Sequence, residues 1–376
     1  MDLTRRCVNS PTHLETLQED WDELVRLSAT GSPFCSYAWC VSWWRTFGQG
    51  WQPEVYVWEH HGRVVALLPL MRRRRFGLLR ELSFLNGPEV APEQLDVLSR
   101  PEVEDALRPA LHALLRELRR NCDLWVFRDL DPAGLLLTAL YEGRSPDDLQ
   151  SVAVASPPQA GVRIDGDFDA YFATRGPKVR RNYRHSCRAF KTQFGVEAQA
   201  LRPNSPAQAL ACFESLWRLH RMSFERRGEF DYFGTGRVEQ FHRAVLSHAG
   251  ALGMVRFVIL GNESLVLASA YCLVHRARMC CYQIGFDPEV EKLSPGFVTI
   301  GSAINLAFEE GCTYFDFLRG DESYKQRWAT ATHHTITYTR SMGTIVARIR
   351  HAAVAAIDGA RKIKRALRPA RRSEPA

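Results

Sequence analysis

The amino-acid sequence predicts an α/β protein made of two similar halves, each a mixed sheet flanked by helices. Three observations predict it. Segments of helical period alternate with short runs of strand character along most of the 376 residues. The order helix, helix, strand hairpin, strand, helix, strand occurs twice, as a tandem duplication would give. Pro157-Pro158 breaks the pattern near the middle, where a chain of this length is expected to divide. The expected domains are therefore residues 1–160 and 161–340, followed by a basic tail over 341–376.

The elements follow in order. Leu14, Leu17, Trp21, Leu24 and Leu27 share a helical stripe, and Ser32-Pro33 ends that segment. Tyr37 to Phe47 is an aromatic-rich helix whose Trp39, Trp43 and Trp44 are assigned to packing, with sugar stacking as the lesser reading. Glu54 to Trp58 and Val64 to Leu70 form a hairpin, and Leu82 to Leu85 adds a strand. A helix over Glu102 to Arg120, a strand over Leu124 to Phe127 and a helix over Ala133 to Tyr141 complete the first half, with strands at Ser151 to Ala155 and Val162 to Ile164.

The second half opens with helices at Phe168 to Thr174 and Lys178 to Gln193, then a strand at Val196 to Leu201. Ser205-Pro206 starts a long helix to Arg227, and Arg237 to His248 is another. A hairpin around Gly261-Asn262, a strand over Met279 to Phe286 and an apolar helix from Gly296 to Glu310, stopped by Gly311, come next. Thr313 to Leu318 is a strand, Glu322 to Trp328 a short helix, and His334 to Arg340 a strand expected to close this half. Met342 to Leu367 reads as a basic amphipathic helix suited to peripheral contact with an anionic membrane.

Composition narrows the function. Hydrophobic residues make up 45% and aromatics 11%, so each half can bury a core. The net charge is +7, yet residues 340 to 376 alone carry +8 and the rest sum to −1. The basic pI therefore belongs to the tail, and no DNA partner is expected for the folded body. Ten cysteines form no Cys-x-x-Cys pair, Met1 to Ser10 leads into no apolar signal, and the longest apolar run is too short to span a bilayer. The expectation is a cytoplasmic protein with free thiols. The twelve histidines show no ligand spacing, so no metal is expected.

The informative stretch is residues 279 to 328, MCCYQIGFDPEVEKLSPGFVTIGSAINLAFEEGCTYFDFLRGDESYKQRW. A strand ends in Gly-Phe-Asp-Pro, a polar loop carries Ser294-Pro295-Gly296, and an apolar helix leads to a strand with Asp316 and a turn with Arg319, Asp321 and Glu322. This resembles the core of the GNAT acyltransferase superfamily. More narrowly, it is similar to the CelD/BcsL-like acetyltransferase domain of bacterial polysaccharide operons, itself related to the FemAB tandem-GNAT proteins. SPFCSYAWCVSWWRTFG at Ser32 to Gly48 and KVRRNYRHSCRAF at Lys178 to Phe190 support it. The resemblance covers about residues 14 to 330. It implies tandem GNAT-like domains, the first degenerate, and an acyl-CoA, most simply acetyl-CoA, as donor. One departure stands out. The family's donor loop reads Gln/Arg-x-x-Gly-x-Gly/Ala, whereas here Glu291, Ser294 and Gly296 hold those places.

The chemistry can be placed on residues. The helix that starts at Gly296 offers unpaired N–H groups and the positive end of its dipole, where a diphosphate can sit. Lys292, Ser294, Gly296 and Phe297 are the candidate donor-binding residues; a plain helix start is the competing reading. The resemblance implies an oxyanion contact from a backbone N–H of the Met279 to Phe286 strand, and Tyr324 as general acid. Alternation places Asp316 on the face opposite Phe315 and Phe317, where a carboxylate needs a partner or a cleft. Asp316 and Glu322 are candidates for base chemistry, and Arg319, Asp321 and Lys325 for acceptor binding; the competing readings are a structural ion pair of Asp316 with Arg319 or Lys325, and helix capping by Asp321 and Glu322. Lys178, Arg181 and Asn182 lie in a helix with Arg184 and Arg188 that holds no acid. That helix suits an anionic substrate or is a solvated face.

The leading expectation is acyl transfer to an amine or hydroxyl of a sugar or polysaccharide precursor, by direct attack in a ternary complex. The alternatives are a FemAB-like transferase using aminoacyl-tRNA, and a non-catalytic subunit working with polysaccharide-synthesis partners of a cellulose-type system.

Overall fold

The computed structural model describes residues 1–75, 79–143, 151–227, 233–320 and 322–341. Asp321 and the expected tail helix from 342 onward lie outside the described residues. The first half runs β1 (Thr4–Val8), α1 (Pro11–Glu15), α2 (Gln18–Leu27), α3 (Tyr37–Phe47), β2 (Gln52–His60), β3 (Arg63–Arg75), β4 (Leu79–Phe84), β5 (Leu98–Ser99), α4 (Glu104–Asn121), β6 (Leu124–Leu130), α5 (Leu135–Glu142) and β7 (Ser151–Ala155). The second runs β8 (Gln159–Arg163), α6 (Phe168–Ala173), α7 (Pro177–Phe194), β9 (Glu197–Leu201), α8 (Pro206–Arg227), α9 (Gly236–Ser247), α10 (Ala249–Leu252), β10 (Val255–Gly261), β11 (Val266–His275) and β12 (Arg278–Phe286). It ends with α11 (Pro295–Glu309), β13 (Tyr314–Asp316), α12 (Ser323–Trp328), β14 (Ala331–His333) and β15 (Ile336–Ser341).

Among the described residues there are two mixed sheets. The first has the order β1-β2-β3-β4-β6-β15-β7, with β5 also paired to β3; the second has the order β14-β8-β13-β12-β11-β10-β9. Strand β1 was not expected. Its sequence, Thr-Arg-Arg-Cys-Val, has no apolar alternation, and it forms by adding an edge to β2 over five paired positions. The last strand also differs from expectation. β15 inserts between β6 and β7 of the first sheet rather than closing the second. Its Tyr338 is fully buried there. The chain crosses from β7 to β8 and back from β14 to β15 at one place, where Ser156 and Thr335 exchange hydrogen bonds: Ser156 N donates to Thr335 O (2.8 Å) and Thr335 N to Ser156 Oγ (3.0 Å).

Local signals explain the elements that matter most. Ser36 caps α3 by accepting from Trp39 N, and Asp167 caps α6 by accepting from Ala170 N. Pro177 opens α7 and Gly195, at φ +66°, closes it. On α7, Val179, Tyr183, Ser186 and Phe190 face inward, which leaves the cations between them outward. α11 packs on one face of the second sheet with α6, α7 and α12. α8 and α9 cover the other face and also meet the first half. Trp39 of α3 stands edge-on to Phe241 (4.9 Å) and to Tyr282 of β12 (5.3 Å). One apolar core therefore runs through both halves.

Polar contacts tie the halves beside this core. Glu93, fully buried, accepts from Arg319 N (3.0 Å) and Nε (2.8 Å). Arg319 Nη2 also donates to Pro92 O (3.0 Å) and pairs with Asp129 (3.1 Å). Burial pushes the Glu93 carboxyl above its ordinary value even with this cation beside it. Removing the cation raises it further, so the folded chain then holds a proton that the unfolded chain releases. Stability must fall as pH rises through that window.

Two outcomes follow. Tyr338→Ala should lower the free energy of unfolding by about 3–5 kcal/mol, as for a deeply buried aromatic, read by urea denaturation; an unchanged midpoint would place β15 outside the first sheet. Arg319→Met should cost about 1–3 kcal/mol at pH 8 and clearly less at pH 5, with Glu93→Gln added to it restoring most of the loss at pH 8.

Candidate active site

The second sheet parts at one point. β12 and β13 pair in parallel at Arg278↔Tyr314, Met279↔Phe315 and Cys280↔Asp316, after which β13 ends and β12 continues to Phe286. The last part of β12 therefore has β11 on one edge and an open V on the other. β12 is also irregular there. Its register to β11 shifts between Cys272↔Cys281 and Tyr271↔Gln283, so Tyr282 is the extra residue of a bulge.

Asp316 stands at the foot of the V. It is fully buried and, as alternation required, faces away from Phe315 and Phe317. Its partners are not Arg319 or Lys325. Oδ2 accepts from Gln94 Nε2 (2.7 Å) and Arg278 Nη1 (3.1 Å) and lies 3.2 Å from His333 Nε2, while Oδ1 accepts from Leu318 N (2.8 Å). The Arg278 guanidinium also lies 4.7 Å over the Tyr314 ring, and burial pushes the Tyr314 hydroxyl up to about 12. Asp316 is thus a fully engaged carboxylate that organises the foot of the V. Burial, with the Asp316 charge beside it, raises the Cys280 thiol well above its usual range, so that cysteine is an unreactive neighbour.

The turn after β13 is equally occupied. Leu318 is left-handed at φ +55° and Gly320 has φ +118°. The φ of Gly320 is one that side-chain-bearing residues rarely adopt, so glycine is favoured there. Buried Lys325 donates to Arg319 O (2.7 Å) and pairs with Glu322 (2.9 Å), which is half-exposed. Arg319, Glu322 and Lys325 are brought together as a folded turn, with Arg319 committed to the first half.

Tyr324 differs from these. It is half-buried on the α11 face, and its hydroxyl has no hydrogen-bond partner among the described residues. Burial, with Cys281 and Glu322 as neighbours, pushes it well above the ordinary phenol value, so it stays protonated. On the opposite face of β12, His220 of α8 reaches the bulge, with its Nδ1 2.8 Å from Gln283 Nε2. No motif in the sequence marks His220. A lone histidine inside a long helix carries no spacing signal, and only the pairing of α8 with the bulge reveals it.

The donor-loop residues gather at the other end of the V. Gly296 opens α11 with Ile284 and Phe286 of β12 each 3.6 Å from where its Cβ would be. Pro295 occupies the first turn, which holds no acid, and Ser294 before it is left-handed at φ +58°. Lys292 and Ser294 are exposed beside it. Phe297 packs on Trp328 of α12 at 4.7 Å, which links the start of α11 to the helix that carries Tyr324. Lys178, Arg181 and Asn182 are exposed on α7, the helix whose Tyr183 lies 6.3 Å from Phe297 of α11. Among the described residues no three His, Cys, Asp or Glu side chains form a metal-binding group, and no helix is long and apolar enough to cross a membrane.

Comparisons agree with this geometry. Residues 177–326 match the acetyltransferase (GNAT) domain family model. Among solved structures the chain is similar to FemX, at 12% identity and a TM-score of 0.57 over 90% of this chain and 97% of that one. It is also similar to a conserved protein of Bacteroides thetaiotaomicron (12%, TM-score 0.54, 89% and 100%). A third is the C-terminal DUF2156 domain of a proposed lysylphosphatidylglycerol synthetase from Agrobacterium fabrum (12%, TM-score 0.54, 93% and 96%). No curated protein matches significantly by sequence. At such identities the structural likenesses speak for the fold, and the family model speaks for the second half. Residues 177–326 thus carry the match to the acetyltransferase (GNAT) domain, and the chain as a whole shares the fold of these solved structures.

Proposed function

We propose that the chain transfers an acyl group, most simply acetyl, from acyl-CoA to an amine or hydroxyl of a sugar or polysaccharide precursor. The observation that supports this best is the start of α11. It brings backbone N–H groups, a glycine and an acid-free first turn against the parted end of β12, where a diphosphate would be favoured by the helix dipole. Glu291 and Lys292 beside it offset one another. The corresponding helix of the first half, α4, begins Glu104-Asp105 just after Glu102 and would repel the same group. The donor is therefore assigned to the second half.

Residues on both faces of β12 suit direct attack. His220 is placed to take the proton of an acceptor amine or hydroxyl at Nδ1, the nitrogen whose lone pair accepts from Gln283 Nε2 and must first be released from it. The open edge of β12 beyond Cys280 supplies backbone N–H groups for the oxyanion. Tyr324, neutral and unpaired, is placed to protonate the departing thiolate. Asp316 acts as a positioning residue through Arg278, His333 and Gln94, and Glu322 through Lys325. A cytoplasmic setting fits ten free thiols.

A second reading, an aminoacyl-tRNA donor, is favoured by one feature. Lys178, Arg181, Arg184 and Arg188 are exposed on α7 and pair with no acid among the described residues. Such a stripe attracts polyanions, with a strong dependence on salt.

Calorimetric titration with acetyl-CoA and longer acyl-CoAs tests the proposal. Saturable heat is expected. Tyr324→Phe and His220→Ala should each lower kcat by about 10²-fold or more while leaving the acyl-CoA Kd within a few-fold. No heat with any acyl-CoA, alongside salt-sensitive retention of tRNA, would favour the second reading.

A further inference from the structure

The first half carries a V of its own. β4 and β6 pair in parallel at Glu81↔Leu124, Leu82↔Trp125 and Ser83↔Val126 and then part, as β12 and β13 do after their third pair. A cavity of about 170 Å³ opens at that parting. The acids at the start of α4 argue against a second donor site, so the cavity needs another occupant.

We propose that this cavity is a saccharide site that seats one pyranose ring, neutral or amino-bearing, of the acceptor; the assignment of the ring to an acceptor rests on the acyl-transfer reading above. Size comes first. A protein cavity of about 150 Å³ admits benzene, so this one has room for a single six-membered ring. The walls suit a sugar. Trp43 and Phe84 form its buried floor, and the half-buried Trp51 offers the aromatic ring that can accept the C–H face of a pyranose. The polar groups are fixed in advance. Arg73 lies 4.0 Å over the Trp51 ring and donates to the buried Glu81 (2.9 Å), and Trp43 Nε1 donates to Glu89 (3.1 Å). A Cβ at Gly87 would lie 2.5 Å from Trp43 Cζ2, so glycine lets the loop close onto the indole. Glu81, Glu89 and Asp129 face Arg73 and Arg128. Three carboxylates against two guanidiniums disfavour an anionic ring and suit hydroxyl or ammonium donors.

The cavity also borders the second V. The segment over residues 86–96 forms its wall through Gly87, Glu89, Pro92 and Leu95. The same segment reaches the other half. Val90 O accepts from Tyr282 OH (2.8 Å), Glu93 holds Arg319 and Gln94 holds Asp316. Asp129 lines the cavity and pairs with Arg319. A ring seated here is gripped by the loop that closes the transfer site.

The test uses the full chain and saturation-transfer NMR with glucose, glucosamine and glucuronate. Glucose and glucosamine should bind, and glucuronate should bind at least tenfold more weakly. Trp51→Ala and Glu81→Gln, each checked for an unchanged thermal melt, should each weaken glucosamine at least tenfold while leaving the acetyl-CoA titration unchanged. Sugar binding that is indifferent to both substitutions, or favours glucuronate, would overturn the proposal. Acetyl-CoA heat with no sugar binding would overturn it and leave donor use standing. Trp51-dependent sugar binding without any acyl-CoA heat would uphold the pocket and defeat the acyl-transfer reading.

Discussion

A carboxylate buried at the last paired position of β13 cannot remain without partners, because the desolvation cost would exceed what the surrounding packing returns. Asp316 meets this constraint by drawing Arg278 from β12, His333 from β14 and Gln94 from the first half to one point. Much else follows from that choice. β13 stops there, β12 runs on alone, and the edge left open becomes the cleft. The backbone around it is held in unusual conformations, with Gln94 at φ +56°, Asp129 at φ +53° and Leu318 at φ +55°. Such strain persists only where neighbouring contacts over-determine it, and here those contacts come from both halves.

The duplication gives this constraint its meaning. Both halves use the same device, two strands that pair in parallel for three residues and then separate. They have diverged at the helix that follows. α11 starts with proline, glycine and no acid, whereas α4 starts among glutamates and an aspartate. The difference makes the start of α11 the more favourable of the two for an anion. The shared loop over 86–96, which borders one cleft and grips the other, makes the two halves a single working unit.

Much of this was legible in the sequence, for identifiable reasons. Helix and strand spans are legible wherever the apolar period is clear, as in α7, expected over Lys178 to Gln193 and found over Pro177–Phe194. The orientation of Asp316 followed from alternation alone. Strand β1 escaped because a polar edge strand needs only a neighbour's backbone. β15 was recognised as a strand, but sheet membership is decided by long-range pairing with β6 and β7. The partners of Asp316 were hidden for the same reason, since Gln94 lies 222 positions away. Arg319 and Lys325 stood near the right place but are occupied by Glu93 and by the turn itself. His220 became visible only when α8 met the bulge of β12.

We place the donor in the second V, along the open end of β12 and the start of α11. Amide hydrogen exchange of the full chain with and without acetyl-CoA tests it most directly. Exchange should slow over residues 281–286 and 294–298, with no change over residues 101–107 at the start of α4. Protection at α4, or no protection at either helix start under saturating acetyl-CoA, would contradict it.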